Sequence, residues 1–302
     1  MRYTIFAITI AALTGCSQPK REAIPEPETT GFSGQPLYSR PADSIATVRN
    51  DSLIKAVRSK SQLSEDDYIA IGRSLVTVGQ FRKAVEKYTE GLARFPDSYK
   101  LLRYRGHRYI NLRELDNAIA DLTRAAALMP EAPEFELDAT GKQGASFQHQ
   151  VWYHIGLYHF LKRDYVKGAE ACEKSLATAY VGTDKAGASD WLYNCYMRSG
   201  QKEKAMAVAK PFTEDFEIDN KDYPYYRRLL LFNGVIQPGE LVDATKPPAE
   251  MDLNDMTKLY GLANFHLYSG DSAAANILYK NVLQANHWQG FAYACAELDV
   301  KE

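Results

Sequence analysis

Cysteine is scarce in this chain, four residues in 302, and no two of them stand in a Cys-x-x-Cys spacing. That removes the common zinc and dithiol motifs. No Gly-x-Ser-x-Gly turn and no glycine-rich phosphate loop occurs, so the usual hydrolase and nucleotide signatures are missing. Six histidines are present without a His-x-x-x-His pair. His154 and His159 lie five residues apart, about 140° around a helix, and do not face one site. Positive charge is not in excess, the formal net charge being −2, which argues against a nucleic-acid partner. The inventory points to no enzyme, no cofactor and no metal.

What is present is an interval. From Gly72 to Gly106, from Ala84 to Ala118 and from Pro96 to Pro130 the chain counts 34 residues each time. Three landmarks of different chemistry at one spacing indicate a duplicated unit, and this is the period of a helix–turn–helix solenoid. Hydrophobic content of 45% and charged content of 25% suit a chain with a sizeable core. Tyrosine stands out at 20 residues.

The first copy reads Tyr68, Ile71, Gly72, Leu75, Ala84, Tyr88 and Pro96, with Gly79 in the turn. The second reads Leu102, Gly106, Tyr109, Ala118, Leu122, Ala125 and Pro130, and the third Trp152, Ile155, Gly156, His159, Tyr165, Gly168 and Leu176. A looser fourth has Leu192, Tyr196, Gly200 and Ala205, and the last has Leu259, Leu262, Ala263, His266, Gly270, Ala275 and Tyr279. This pattern resembles the tetratricopeptide repeat (TPR). The resemblance implies an all-α, right-handed TPR-type α-solenoid whose concave face binds a partner. Small residues at the helix crossing let two backbones approach, and proline after the second helix ends it. Stretches such as Tyr104-Arg105-Gly106-His107-Arg108-Tyr109 and Asp190-Trp191-Leu192-Tyr193 are similar to a group of exported bacterial TPR proteins. That likeness adds no function.

The spacing also places the irregular parts. Residues 131–150 read as an insertion loop, since Gly106 and Gly156 stand 50 apart, and long loops in compact scaffolds are often functional. Between Pro224 and Pro247 a degenerate repeat is expected, with Tyr225 to Phe232 as its first helix and Gly239 to Asp243 as a short second one. Gln289 to Asp299 is expected to close the solenoid as a capping helix. His159 and His266 stand where tyrosine is usual and are expected in the core. Arg105, where an apolar residue belongs, calls for a carboxylate partner inside the scaffold.

The N-terminus carries an address. Met1-Arg2-Tyr3 is a short basic start, and Thr4 to Leu13 is an apolar run too short to cross a bilayer. Leu13-Thr14-Gly15-Cys16 follows and resembles a bacterial lipobox, which makes 1–15 a lipoprotein signal peptide and Cys16 the lipidated residue. The alternative is an ordinary secretory signal. Ser17 after the cysteine resembles lipoproteins sent to the outer membrane, so the expected location is the cell envelope, lipid-anchored. Residues 16–41 read as a tether, of which the proline-rich stretch from Gln18 to Pro41, at about 3.1 Å per residue, reaches roughly 70 Å. Residues 42–64 read as an N-terminal capping helix and 65–302 as the TPR domain. Cys172, Cys195 and Cys295 remain. A Cys172–Cys195 bond is one reading, and free buried thiols are the other.

Carrying TPR groove positions onto this sequence gives a concave wall of Arg73, Thr77, Arg103, His107, Asn111, Tyr153, Asp190, Asn194, Arg198, Tyr260, Asn264 and Tyr268. The wall is polar and aromatic, and its asparagines resemble those that hold a peptide backbone. Arg103 and His107, one turn apart, add a cationic grip. Against this stands the reading that these are merely solvated groove residues. The expected function is a membrane-anchored scaffold for a protein or peptide partner. The alternative is a glycan-binding lipoprotein that stacks sugars on Tyr153, Tyr260 and Tyr268.

Overall fold

The computed structural model describes residues 26–137, 141 and 143–301. The signal peptide and Cys16 lie outside the described residues. Helix α1 (Ser44–Arg58) precedes the repeats, which then run as pairs: α2 (Glu65–Thr77) with α3 (Phe81–Arg94), and α4 (Tyr99–Asn111) with α5 (Leu115–Leu128). After a hairpin of β3 (Phe135–Leu137) and β4 (Gln143–Ser146) come α6 (Phe147–Leu161) with α7 (Tyr165–Ala177), and α8 (Gly182–Arg198) with α9 (Lys202–Ala209). The degenerate pair is α10 (Pro224–Phe232) with α11 (Pro238–Leu241). The last pair is α12 (Leu253–Tyr268) with α13 (Ser272–Gln284), and α14 (Phe291–Asp299) ends the chain. A two-residue-per-strand hairpin, β1 (Thr29–Thr30) with β2 (Pro36–Leu37), precedes α1.

Local chemistry explains the boundaries. Ser64 and Asp67 form a reciprocal cap at the start of α2, each side chain accepting from the other's backbone N–H at 3.2 and 3.0 Å. Ser98 and Ser146 cap α4 and α6 in the same sense. The second-helix alanines Ala84, Ala118, Ala205 and Ala275 are completely or almost completely buried, as a close crossing requires. At Gly72 a Cβ would stand 2.2 Å from the Tyr88 ring, so no larger residue fits. At Gly156 the neighbour is the Cys172 sulfur, where a Cβ would approach to 2.5 Å. Cys172 is therefore a small packing residue, and Cys172, Cys195 and Cys295 are all free and buried. Arg105 meets its carboxylate: Nε and Nη2 donate to the two oxygens of Asp121 at 2.7 and 2.8 Å.

The turns carry a departure from the repeat. Gly79, Gly200 and Gly270 hold φ of 77°, 77° and 90° between paired helices. In the second and third pairs the equivalent residues are Arg113 (φ 64°) and Arg163 (φ 59°), which costs an L-residue about 1–2 kcal/mol each. Both side chains reach α14: Arg113 Nε donates to Glu297 at 3.0 Å, and Arg163 Nη2 bonds the Leu298 carbonyl.

Those contacts describe how the solenoid ends. Helix α14 packs on α12 and α13 and also reaches α6. The segment leading into it is held by the second repeat, with Asn111 Nδ2 donating to the Gln289 carbonyl at 2.7 Å and Arg113 Nη2 to that of Trp288 at 2.9 Å. Trp288 packs on Phe81, their ring centroids 4.9 Å apart. The superhelix thus closes back on its first repeats.

Three expectations need correction. The proline-rich segment is not a free tether through residue 41. Thr29 Oγ1 donates to the Leu112 carbonyl at 2.5 Å, Leu37 is buried, Trp288 Nε1 donates to the Tyr38 carbonyl at 2.8 Å, and Arg40 donates to that of Ala285 at 2.6 Å. Within the insertion at 131–150 the described residues Phe135–Leu137 pair with Gln143–Ser146, and α6 begins already at Phe147. His159 and His266 are half-buried, each 3.9 Å from the aspartate at the following turn, Asp164 and Asp271.

Candidate functional site

The concave wall read from the sequence divides into two regions. From α8 onward its side chains bond one another, and Arg198, Tyr279 and Asp299 also line a cavity of about 380 Å³ beside α14. Asp190 pairs with Arg228 of α10 at 2.9 Å, both side chains fully buried, and burial pushes the Asp190 carboxyl up to about 7. Arg228 lies among the rings of Trp191, Tyr225 and Tyr260 and against Gly261. Asn194 Oδ1 accepts from Asn264 Nδ2 at 3.0 Å and from Tyr268 Oη at 2.8 Å. Asn264 Oδ1 accepts in turn from Arg198 Nη2 at 3.0 Å and from Tyr279 Oη at 2.6 Å. Arg198 and Tyr260 both reach Asp299 of α14, at 2.7 and 2.8 Å.

These six residues, Asp190, Asn194, Arg198, Tyr260, Asn264 and Tyr268, are therefore corrected from ligand contacts to an internal network. The curvature brings α8 against α12, and α14 fills what remains. Asparagines expected to hold a partner's backbone hold one another. Tyr153 is also engaged, accepting from Trp191 Nε1 at 2.8 Å, and Asn111 is committed to the Gln289 carbonyl. Phe291 of α14 sits beside His107 and His154, with ring centroids at 5.2 and 5.9 Å, and closes this side. Tyr260 is completely buried, while Tyr153 and Tyr268 are half-buried and hydrogen-bonded within the scaffold, which leaves little ring surface for sugar stacking.

The N-terminal end of the wall is open. Arg73 and Thr77 on α2 are exposed. One cavity, of about 260 Å³, is lined by both together with Arg103, Tyr104, His107, Arg108 and Glu136. A second, of about 320 Å³, shares Arg73, Tyr104 and Glu136 and extends to Lys100, Glu134, Phe135 and Leu137. The β3–β4 hairpin forms the outer lip of both, so the insertion builds this mouth. Leu137 at its tip is 63% exposed. Glu136 Oε1 accepts from Arg103 Nη1 at 3.1 Å and from Tyr104 Oη at 2.6 Å, which fixes the lip to α4. The Arg103 and Arg73 guanidiniums lie 4.4 and 6.0 Å from the Tyr104 ring centroid.

The smaller cavity is cationic, with Arg73, Arg103 and Arg108 against Glu136, whereas in the larger one Asp66, Glu134 and Glu136 face Arg73 and Lys100. Burial, reinforced by Arg108 and His154, holds His107 well below the usual imidazole range, so it is neutral. His154 is held down likewise by burial and Arg103. Burial lowers Arg108 to about 10, with Arg103 and Arg73 acting in the same direction. The sequence reading found Arg73, Thr77, Arg103 and His107 but missed Tyr104, Arg108 and Glu136. Arg108 lies two residues past the packing glycine, outside the mapped positions, and Glu136 belongs to an insertion with no repeat template. Among the described residues no group of three or more His, Cys, Asp or Glu is placed to hold a metal, and no helix is long and apolar enough to cross a membrane.

No protein-family model matches the chain, and no curated protein matches it. Among solved structures it is similar to a tetratricopeptide repeat protein from Parabacteroides merdae ATCC 43184, at 16% identity over 78% of this chain and 85% of that one, with a TM-score of 0.48. It is also similar to YrrB, described as a TPR protein with an unusual peptide-binding site, at 10% identity over 78% and 93% (TM-score 0.44). PilW, a type IV pilus biogenesis factor, matches at 16% identity over 81% and 94% (TM-score 0.40). The successive helix pairs, the first two of which begin 34 residues apart at Glu65 and Tyr99, closed by a terminal helix, give this protein an all-α solenoid fold of TPR type.

Proposed function

We propose that this protein is a scaffold of the bacterial cell envelope that holds a segment of a partner protein at the open N-terminal end of its concave face. The observation that carries the reading is the division of that face. Arg73, Thr77 and the hairpin lip leave two adjoining cavities open, while the six wall residues mapped from α8 onward are engaged in internal bonds. The mouth offers the exposed cation Arg73, an exposed apolar lip at Leu137 and an aromatic floor at Tyr104, a composition suited to protein recognition. No catalysis is assigned to it. Anchoring rests on Leu13-Thr14-Gly15-Cys16, and sorting to the outer membrane on Ser17. The tether is then confined to the stretch between Cys16 and β1, which seats the solenoid nearer the membrane than a free segment through residue 41 would.

The test is capture from envelope extracts by the wild-type protein and by an Arg73→Glu/Thr77→Glu variant. Both residues are exposed, so the variant's melting curve is expected to match the wild type. Loss of a partner by the variant alone supports the reading. Full retention would show that the mouth is not the contact.

A further inference from the structure

The cavity of about 260 Å³ between α2 and α4 is short of negative charge. Three guanidiniums line it, those of Arg73, Arg103 and Arg108, against the single carboxylate of Glu136. That carboxylate is already committed to Arg103 and Tyr104. Among the described residues neither Arg73 nor Arg108 has a carboxylate within ion-pair distance. The buried Nε atoms of Arg103 and Arg108 have no hydrogen-bond acceptor. Arg108 otherwise meets the ring of Phe81, at 5.9 Å, and Nδ1 of His107. Because that ring nitrogen faces a donor, neutral His107 carries its proton on Nε2 and is a further donor.

A guanidinium withdrawn from water without a carboxylate, as at Arg108, is costly, and the neighbouring Arg103 and Arg73 add like charge. Arg105 and Arg228 in the same scaffold each have an aspartate, so the exception at Arg108 is local. Burial, with Arg103 and Arg73 acting in the same direction, lowers Arg108 to about 10. Two uncompensated charges match a dianion, and the planar fork of arginine suits the oxygens of phosphate. The space is too small for a length of peptide but ample for one phosphoryl group.

We propose that this cavity binds a phosphate-class dianion, held by Arg73, Arg103 and Arg108. Free phosphate and the phosphomonoester end of a larger molecule share that chemistry. The inference goes beyond the scaffold reading and does not depend on it, because it concerns the floor of the mouth and a purified protein.

Isothermal titration of the full chain with inorganic phosphate, at constant ionic strength, is the test. One saturable site is expected. Arg73→Gln and Arg108→Gln should each weaken it by about tenfold or more, the loss of one charge-assisted contact. Arg73 is exposed and its variant keeps the fold, so the test stands even where Arg108→Gln melts early. Glycerol 3-phosphate binding markedly tighter than phosphate assigns the site to an esterified ligand, and equal binding assigns it to the free ion. Absence of saturation by about 10 mM phosphate, an unchanged affinity in Arg73→Gln, or equal binding of succinate would overturn the proposal. Partner capture from envelope extracts reads the scaffold function separately.

Discussion

Arg113 gives a sharp test of the closed solenoid. It spans the ends of the superhelix, donating from Nε to Glu297 at 3.0 Å, from Nη1 to the Asn111 carbonyl at 2.5 Å and from Nη2 to that of Trp288 at 2.9 Å. Its side chain is 4% exposed, and that of Glu297 is completely buried. Replacement by alanine leaves the Glu297 carboxylate with Gln35 Nε2, at 2.8 Å, as its remaining side-chain donor. Breaking a buried pair from one side costs about 3–5 kcal/mol. Alanine keeps the left-handed strain at this position, whereas glycine relieves about 1–2 kcal/mol of it. Arg113→Gly should therefore be less damaging than Arg113→Ala.

The pH dependence of that penalty has a definite sign. Burial raises the Glu297 carboxyl above its ordinary 4.5, against the opposing pull of Arg113. The folded protein therefore holds a proton on Glu297 more readily than the unfolded chain does, and this group's contribution to stability falls as pH rises from 4.5 through the folded pKa. Removing Arg113 raises that pKa further, so the Arg113→Ala penalty is largest at neutral pH. It should shrink as Glu297 protonates in acid. Urea unfolding followed by the fluorescence of Trp288, which is buried at the junction, measures both effects. A neutral-pH penalty below about 1 kcal/mol, or one that does not diminish at acid pH, would refute the reasoning.

Two further substitutions probe the packing. Gly72→Ala places a methyl 2.2 Å from the Tyr88 ring and should cost about 1–3 kcal/mol in the same urea assay. Asp190→Asn strands Arg228 in a fully buried site, with an expected loss of about 3–5 kcal/mol. Replacing both residues, by Asn and Met, should recover a measurable part of that loss.

The parts of the fold that repeat were legible because they answer a local requirement. Close crossing of two helices demands small residues at a fixed spacing, so Gly72, Gly106 and Ala84 announce the architecture with no knowledge of the rest. Arg105 was legible for a related reason: a charge at a packing position needs a partner, and Asp121 supplies it. The state of the groove was not legible. It is decided by pairs far apart in sequence, Asn194 with Asn264, Arg198 with Asp299 and Arg113 with Glu297, separated by 70, 101 and 184 residues. A groove asparagine that meets a ligand and one that meets a facing helix look alike in sequence. The single local clue was the turn, where arginine replaces glycine at 113 and 163 and both arginines serve the terminal helix.

Docking at the mouth is tested most directly by photo-crosslinking in intact cells, with the reactive residue introduced at Thr77 or, for comparison, at Ile277 on the outer helix α13. Thr77 lines the open cavity, and Ile277 is 61% exposed on α13, outside that cavity. A discrete crosslinked partner at position 77 and none at 277 is the predicted result. A partner trapped at 277 with none at 77 would contradict the account.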